Sequence, residues 1–170
     1  MEQASLDTIT LHVSKHGGDP SCIDFRDTSF FTSANSNLPS AADVLKRHAQ
    51  DSESPHGIAI FEDLALVVKF GQPSHVHLDN ALTMRALWQA FPNREIPVPE
   101  VFGWRSEDNK NFIYMSLVPG KHLYEVWTTL SLLEKESICK DLGSIQGYLR
   151  RLRPESEETF IGMPISVIES

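Results

Sequence analysis

At 170 residues, with 41% apolar side chains and a formal net charge of −8, the chain is long enough for one domain, or one lobe and part of a second, and apolar enough to bury a core. The acidic balance argues against broad binding to nucleic acid or to an anionic membrane, both polyanions, and requires local positive charge at any nucleotide site. Cys22 and Cys139 show no CxxC or metal-ligand spacing, the first ten residues lack a secretory apolar run, and no stretch reaches membrane-spanning length, so the expectation is a cytoplasmic globular protein.

In chain order, residues 1–37 read as an irregular lead-in, with the turn cluster Gly17-Gly18-Asp19-Pro20 and the adjacent Phe30 and Phe31 as an anchor onto the body. Ser40 is placed to cap a helix carrying Val44, Leu45 and Ala49. Ile58–Phe61 and Leu64–Val68 alternate as two strands around a Glu62-Asp63 turn, the second ending in Lys69-Phe70-Gly71. A helix is predicted from Ser74–Asp79 to Phe91, with Ala81, Met84, Trp88 and Phe91 at helical spacing and Pro92 as its stop. The prolines in Ile96-Pro97-Val98-Pro99 force extended backbone. A second hairpin then pairs Phe102–Arg105 with Phe112–Leu117 around Ser106–Asn111.

Val118-Pro119-Gly120 breaks the strand, and a short helix holds Leu123, Val126 and Trp127. Ser131 and Glu134 form a capping box for a long helix whose face carries Ile138, Leu142, Ile145, Leu149 and Leu152, with Pro154 beyond. Arg150, Arg151 and Arg153 complement the negative end of that helix. His75-Val76-His77 reads as a solvated pair at the start of a helix rather than a metal site, since no third ligand is placed to complete it.

The order hairpin, strand-end lysine, helix, hairpin, Pro-Gly linker, helices resembles the small lobe of a kinase leading into its large lobe. Val67-Val68-Lys69-Phe70-Gly71, Thr83-Met84-Arg85, Ile96 to Val101, Ile113-Tyr114-Met115 through Pro119-Gly120, and Leu123 with Trp127 resemble the aminoglycoside phosphotransferase and choline-kinase-like family, in a branch common in filamentous fungi. The resemblance runs from about Asp27 to Gly162. It implies an α+β fold: an antiparallel sheet plus helix forming a kinase-like small lobe over residues 38–116, then hinge and first large-lobe helices over 117–170.

The resemblance also implies roles. Lys69 would point its ammonium at the phosphates of ATP, held by an acid on the next helix. The aligned position is Asn80, with Asp79 one residue before it; one step rotates a side chain by about 100°, so Asp79 is either that acid after a register shift or a helix N-terminal acid. Met115, Ser116, Leu117 and Val118 would offer backbone groups to the adenine, with Ser116 where the family often has an acid. The family's base and magnesium ligands come from a His-Gly-Asp loop with a later asparagine and from a further aspartate, and none of these occurs in this sequence. His16-Gly17-Gly18-Asp19 has an extra glycine, precedes Lys69, and is followed five residues after Asp19 by Asp24 instead of asparagine.

Thr159 to Gly162 still resemble the family and Met163 to Ser170 do not, which is the expectation for a truncated gene product. Three functional readings follow. One is a truncated phosphotransferase that keeps part of an ATP cleft, with weak nucleotide binding, no magnesium ligands and no autonomous activity. A second is a non-catalytic interaction module, and a third a small-molecule kinase completed by a second chain. The stripe Ile138, Leu142, Ile145, Leu149 and Leu152, if left uncovered, predicts self-association or a partner protein.

Overall fold

A computed structural model describes residues 9–11, 21–33, 37–50 and 54–154. Its centre is a five-stranded antiparallel sheet built from β2 (Cys22–Asp24), β3 (Gly57–Phe61), β4 (Leu66–Gly71), β5 (Val101–Glu107) and β6 (Lys110–Ser116), in the order β2-β5-β6-β4-β3. A separate parallel pair joins β1 (Ile9–Leu11) to β7 (Leu152–Pro154). The helices are α1 (Ser29–Thr32), α2 (Ala41–His48), α3 (Leu78–Ala90), α4 (Leu123–Val126) and α5 (Leu132–Leu149). The α+β class and the antiparallel sheet agree with the sequence reading.

The two faces of the sheet follow from strand alternation. Leu66, Val68 and Phe70 of β4 point to one face, where they meet Ala59, Phe102, Phe112 and Tyr114 and are covered by Ala41 and Val44 of α2 and Phe30 of α1. Helix α2 forms where its cap demands: the Ser40 side chain accepts from Asp43 N–H while the Asp43 carboxylate accepts from Ser40 N–H. On the opposite face α3 packs over β5 and β6, and Ala81 joins Ile23, Val101, Trp104 and Ile113. A third cluster, Leu11, Ala86, Leu87, Phe91 and Ile96, closes the far end of α3, and Ile145 and Tyr148 of α5 lean on it.

Several expectations need correction. The lead-in is not irregular where it is described: it supplies β1, the sheet-edge strand β2 and helix α1. Periodicity missed β2 because three residues are too few to display it, and its pairing with β5 is set by tertiary contact (Ile23 opposite Trp104). The anchor role of the phenylalanines holds: Phe30 is buried against Phe102, ring centroids 5.2 Å apart.

The first hairpin turns through a 3₁₀ segment, Glu62–Leu64, closed by Ala65 in the left-handed region at φ 48°, so Leu64 belongs to the turn and not to the strand. The second hairpin is longer than predicted. Its turn is only Asp108-Asn109, both at positive φ (48° and 57°), and its strands run through Ser106, Glu107, Lys110 and Asn111. A register shift between Val101 and Gly103 needs glycine, because a Cβ at Gly103 would lie 2.5 Å from Leu38 Cδ1 and 2.8 Å from Ile23 O.

On α3 the core face carries Ala81, Ala86 and Leu87 with Phe91 just beyond, whereas Trp88 is half-buried under the Arg94 guanidinium. The long helix differs most. It begins on the predicted Ser131–Glu134 capping box but ends at Leu149, and Leu152 lies on β7 beside β1. None of its residues is buried. The Glu155–Ser170 tail and the His16–Asp19 segment lie outside the described residues.

Candidate functional site

Cross-strand pairing aligns two rows of side chains on the α3 face. One runs Ile58, Lys69, Ile113, Trp104, Ile23, and the other Ile60, Val67, Met115, Val101. Helix α3 covers the β5–β6 end of these rows, where Ile113, Trp104, Ile23 and Val101 are at most 3% exposed. It does not reach the β3–β4 end. There Ile58 is 51% and Ile60 37% exposed, Val67 and Met115 are half-buried, and Lys69 stands open to solvent between them. Apolar β-branched side chains on an uncovered sheet face, with a cation among them, make a platform that can take a flat apolar ring and an attached anion.

The platform ends where β6 leaves the sheet, at residues 115–118, the segment that the sequence reading takes as a hinge. Ser116 N–H donates to Glu100 O (2.9 Å), and Leu117 N–H to Ala65 O (2.8 Å) in the β3–β4 turn. Glu100 N–H donates to Ser116 Oγ (3.0 Å). Val118 follows with its side chain 67% exposed, and its N–H makes no hydrogen bond with any described residue. Gly120, at φ 137°, then turns the chain toward α4.

The structure brings Lys69, Met115, Ser116, Leu117 and Val118 to one edge of the open platform. It does not bring Asp79 or Asn80 to Lys69. Both are exposed on the first turn of α3, and neither side chain makes a hydrogen bond or ion pair with Lys69 or any other described residue. Arg85, inside the Thr83-Met84-Arg85 match, serves elsewhere: its guanidinium grips both oxygens of Asp27 (2.8 and 2.6 Å) and lies over the Phe25 ring. That hydrogen bond holds the Asp27 carboxyl below its ordinary range, against a smaller opposing effect of burial. His75 is exposed and stacked on His56, with Nδ1 2.9 Å from Ser74 Oγ, and His77 occupies the N-cap position of α3 without a side-chain capping bond.

Sequence reasoning missed Ile58 and Ile60 as site residues, although the alternation that defines β3 marks them as same-face partners of Lys69 and Val67. It also missed Glu100, Ser29 and Ala65, which hold the hinge through contacts no local pattern announces. On the other sheet face a shallow groove lies beside α2, lined by Ser40, Lys46, Arg47, Gln50, Phe61 and Leu64. It lacks the concerted hinge geometry, and Arg47 is already committed through Nε to Ile60 O (3.0 Å).

Compared with known proteins, residues 47–164 match the sequence model of the phosphotransferase enzyme family, well over half of the chain. No curated protein and no solved structure matches it. Among the described residues no helix is long and apolar enough to cross a membrane.

Proposed function

The chain belongs to the phosphotransferase enzyme family, and on that premise we propose that its sheet, α3 and hinge are the nucleotide-holding small lobe of an ATP-dependent phosphotransferase, with the first large-lobe helices in α4 and α5. One observation carries the reading: the half of the sheet face left open by α3 ends at a hinge amide, Val118 N–H, without a partner among the described residues. In this reading the adenine rests on Ile58, Ile60, Val67 and Met115, and Val118 N–H donates to a ring nitrogen. Lys69, extending from the same face, meets the phosphates as a flexible point charge, neutralising them at the edge of a largely apolar surface. Leu117 contributes backbone shape and not side-chain chemistry, its N–H being bonded to Ala65 O.

The reading extends to what these 170 residues would do unaided. They contain no His-Gly-Asp sequence, and phosphoryl transfer requires a carboxylate to position the acceptor hydroxyl and ligands for magnesium. Binding should therefore be weak and nearly indifferent to magnesium, with no turnover. Calorimetric titration with ADP, with and without magnesium, tests this. Lys69→Ala should weaken ADP binding about tenfold and leave adenosine binding unchanged. Absence of ADP binding overturns the nucleotide reading, and magnesium-dependent turnover that Lys69→Ala abolishes overturns the inactivity.

A second reading, an interaction module, is favoured by α5, where Leu142 and Leu149, one above the other on the same side of the helix, are 55% and 44% exposed. An exposed apolar stripe on a capped helix suits association.

A further inference from the structure

The hinge is fastened by a chain of hydrogen bonds that begins far away in sequence. The Glu100 carboxylate accepts from Ser29 N–H (3.0 Å) and from Ser29 Oγ–H (2.5 Å). The Glu100 backbone closes a reciprocal pair with Ser116: its N–H donates to Ser116 Oγ (3.0 Å) and its carbonyl accepts Ser116 N–H (2.9 Å). Ser29 is not loose itself, because the next residue, Phe30, is buried in the core beneath α2. Leu117 N–H, bonded to Ala65 O at 2.8 Å, fastens the other side of the hinge to the turn between β3 and β4. Two successive hinge residues are thus held from opposite sides, and Val118 N–H is the next amide in line, without a partner among the described residues.

We propose that Glu100 and Ser116 are positioning residues for the adenine, and that Ser29 couples them to the N-terminal segment. This rests on the nucleotide reading above. A hydroxyl at position 116 is used here as an acceptor: Ser116 Oγ receives the Glu100 N–H. The arrangement acts on the ring and not on the phosphates, because Lys69 projects from the strand and not from the hinge. A pre-set hinge spares the binding step the ordering of two residues.

The test compares two probes on the full chain, adenosine and inorganic tripolyphosphate, by calorimetry, with urea unfolding as the control for folding. Ser116→Ala should weaken adenosine about tenfold while tripolyphosphate binding stays unchanged, and Ser116→Thr, which restores the hydroxyl, should bring adenosine back to within about twofold of the unaltered chain. Ser29→Ala, at an exposed site that leaves the hinge itself intact, should weaken adenosine about threefold. Equal adenosine affinity in the unaltered chain, Ser116→Ala and Ser29→Ala overturns the positioning role alone. Equal loss for adenosine and tripolyphosphate also overturns it, since that would be a general disturbance of the lobe. If the unaltered chain takes tripolyphosphate but no adenosine, the adenine reading falls and the positioning role with it.

Discussion

Helices α3 and α5 look alike in sequence and end in opposite circumstances. Both carry apolar residues at helical spacing, and α5 is longer and better capped. Yet α3 buries Ala81, Ala86 and Leu87 against the sheet and its far cluster, whereas α5 buries no residue and leans on that cluster through the half-buried Ile145 and Tyr148 near its C-terminal end. A periodic stripe therefore records which face of a helix is apolar, not whether anything covers it. The same contrast divides the sheet: its α3 face is sealed over β5 and β6 and open over β3 and β4, and the proposed nucleotide platform is the open part.

The largest test of this contrast compares truncations in the two regions by urea unfolding. Phe70→Ala, which empties a site 1% exposed between the His48 and Phe112 rings, should lose about 3–5 kcal/mol. Leu133→Ala, at a site 77% exposed, should stay within about 0.5 kcal/mol. A comparable loss at both would mean that α5 is covered in solution. Association is the obvious cover, and Leu142→Glu should then shift light scattering toward monomer.

A second test uses an alkaline titration of the sealed region. Burial pushes the Tyr114 phenol up to about 12, with nearby Arg105 opposing the shift. Because the folded state keeps this proton above the unfolded value of 10, the stability it contributes is intact below pH 10 and lost as pH rises toward 12. The slope is about 1.4 kcal/mol per pH unit and the total about 3 kcal/mol. Tyr114→Phe should abolish that loss. Its hydroxyl is buried without a partner among the described residues, so the same change should also raise stability at neutral pH by about 1 kcal/mol. Unchanged alkaline behaviour in Tyr114→Phe would contradict the assignment.

The smallest effects come from the caps. Ser40→Ala and Ser131→Ala each break a capping box, worth about 1 kcal/mol. Since α2 packs into the core, Ser40→Ala should lower global stability. Ser131→Ala should instead speed hydrogen exchange in the first turns of α5 with little effect on the global midpoint. A global loss from both would erase the distinction between the helices.

What could be read from the sequence was local chemistry. The cap residues Ser40 and Ser131, the alternation of β3 and β4 and the proline-bounded approach to β5 all follow from a few neighbouring residues, and the structure keeps each of them; Lys69 is kept on β4 but within the strand, which runs on to Gly71. Long-range facts were not legible. Three-residue β2 pairs with β5 and β1 with β7, and both pack against α3, all across long sequence separations. Leu152 fits the α5 period but lies on a strand because the helix stops at Leu149. The site shows the same limit: Lys69 and the hinge residues were marked, but Glu100 reaches Ser29 across 71 positions, and Asp79 and Asn80 reach no partner at all among the described residues.

Which part of the sheet the nucleotide occupies is measured directly by amide chemical shifts during an ADP titration. The predicted result is a continuous set of shifts at Ile58, Ile60, Val67, Lys69, Met115 and Val118, with the sealed end around Trp104 and Ile23 silent. Shifts confined to the groove beside α2, at Lys46, Arg47 and Gln50, or no shifts at all, would contradict it.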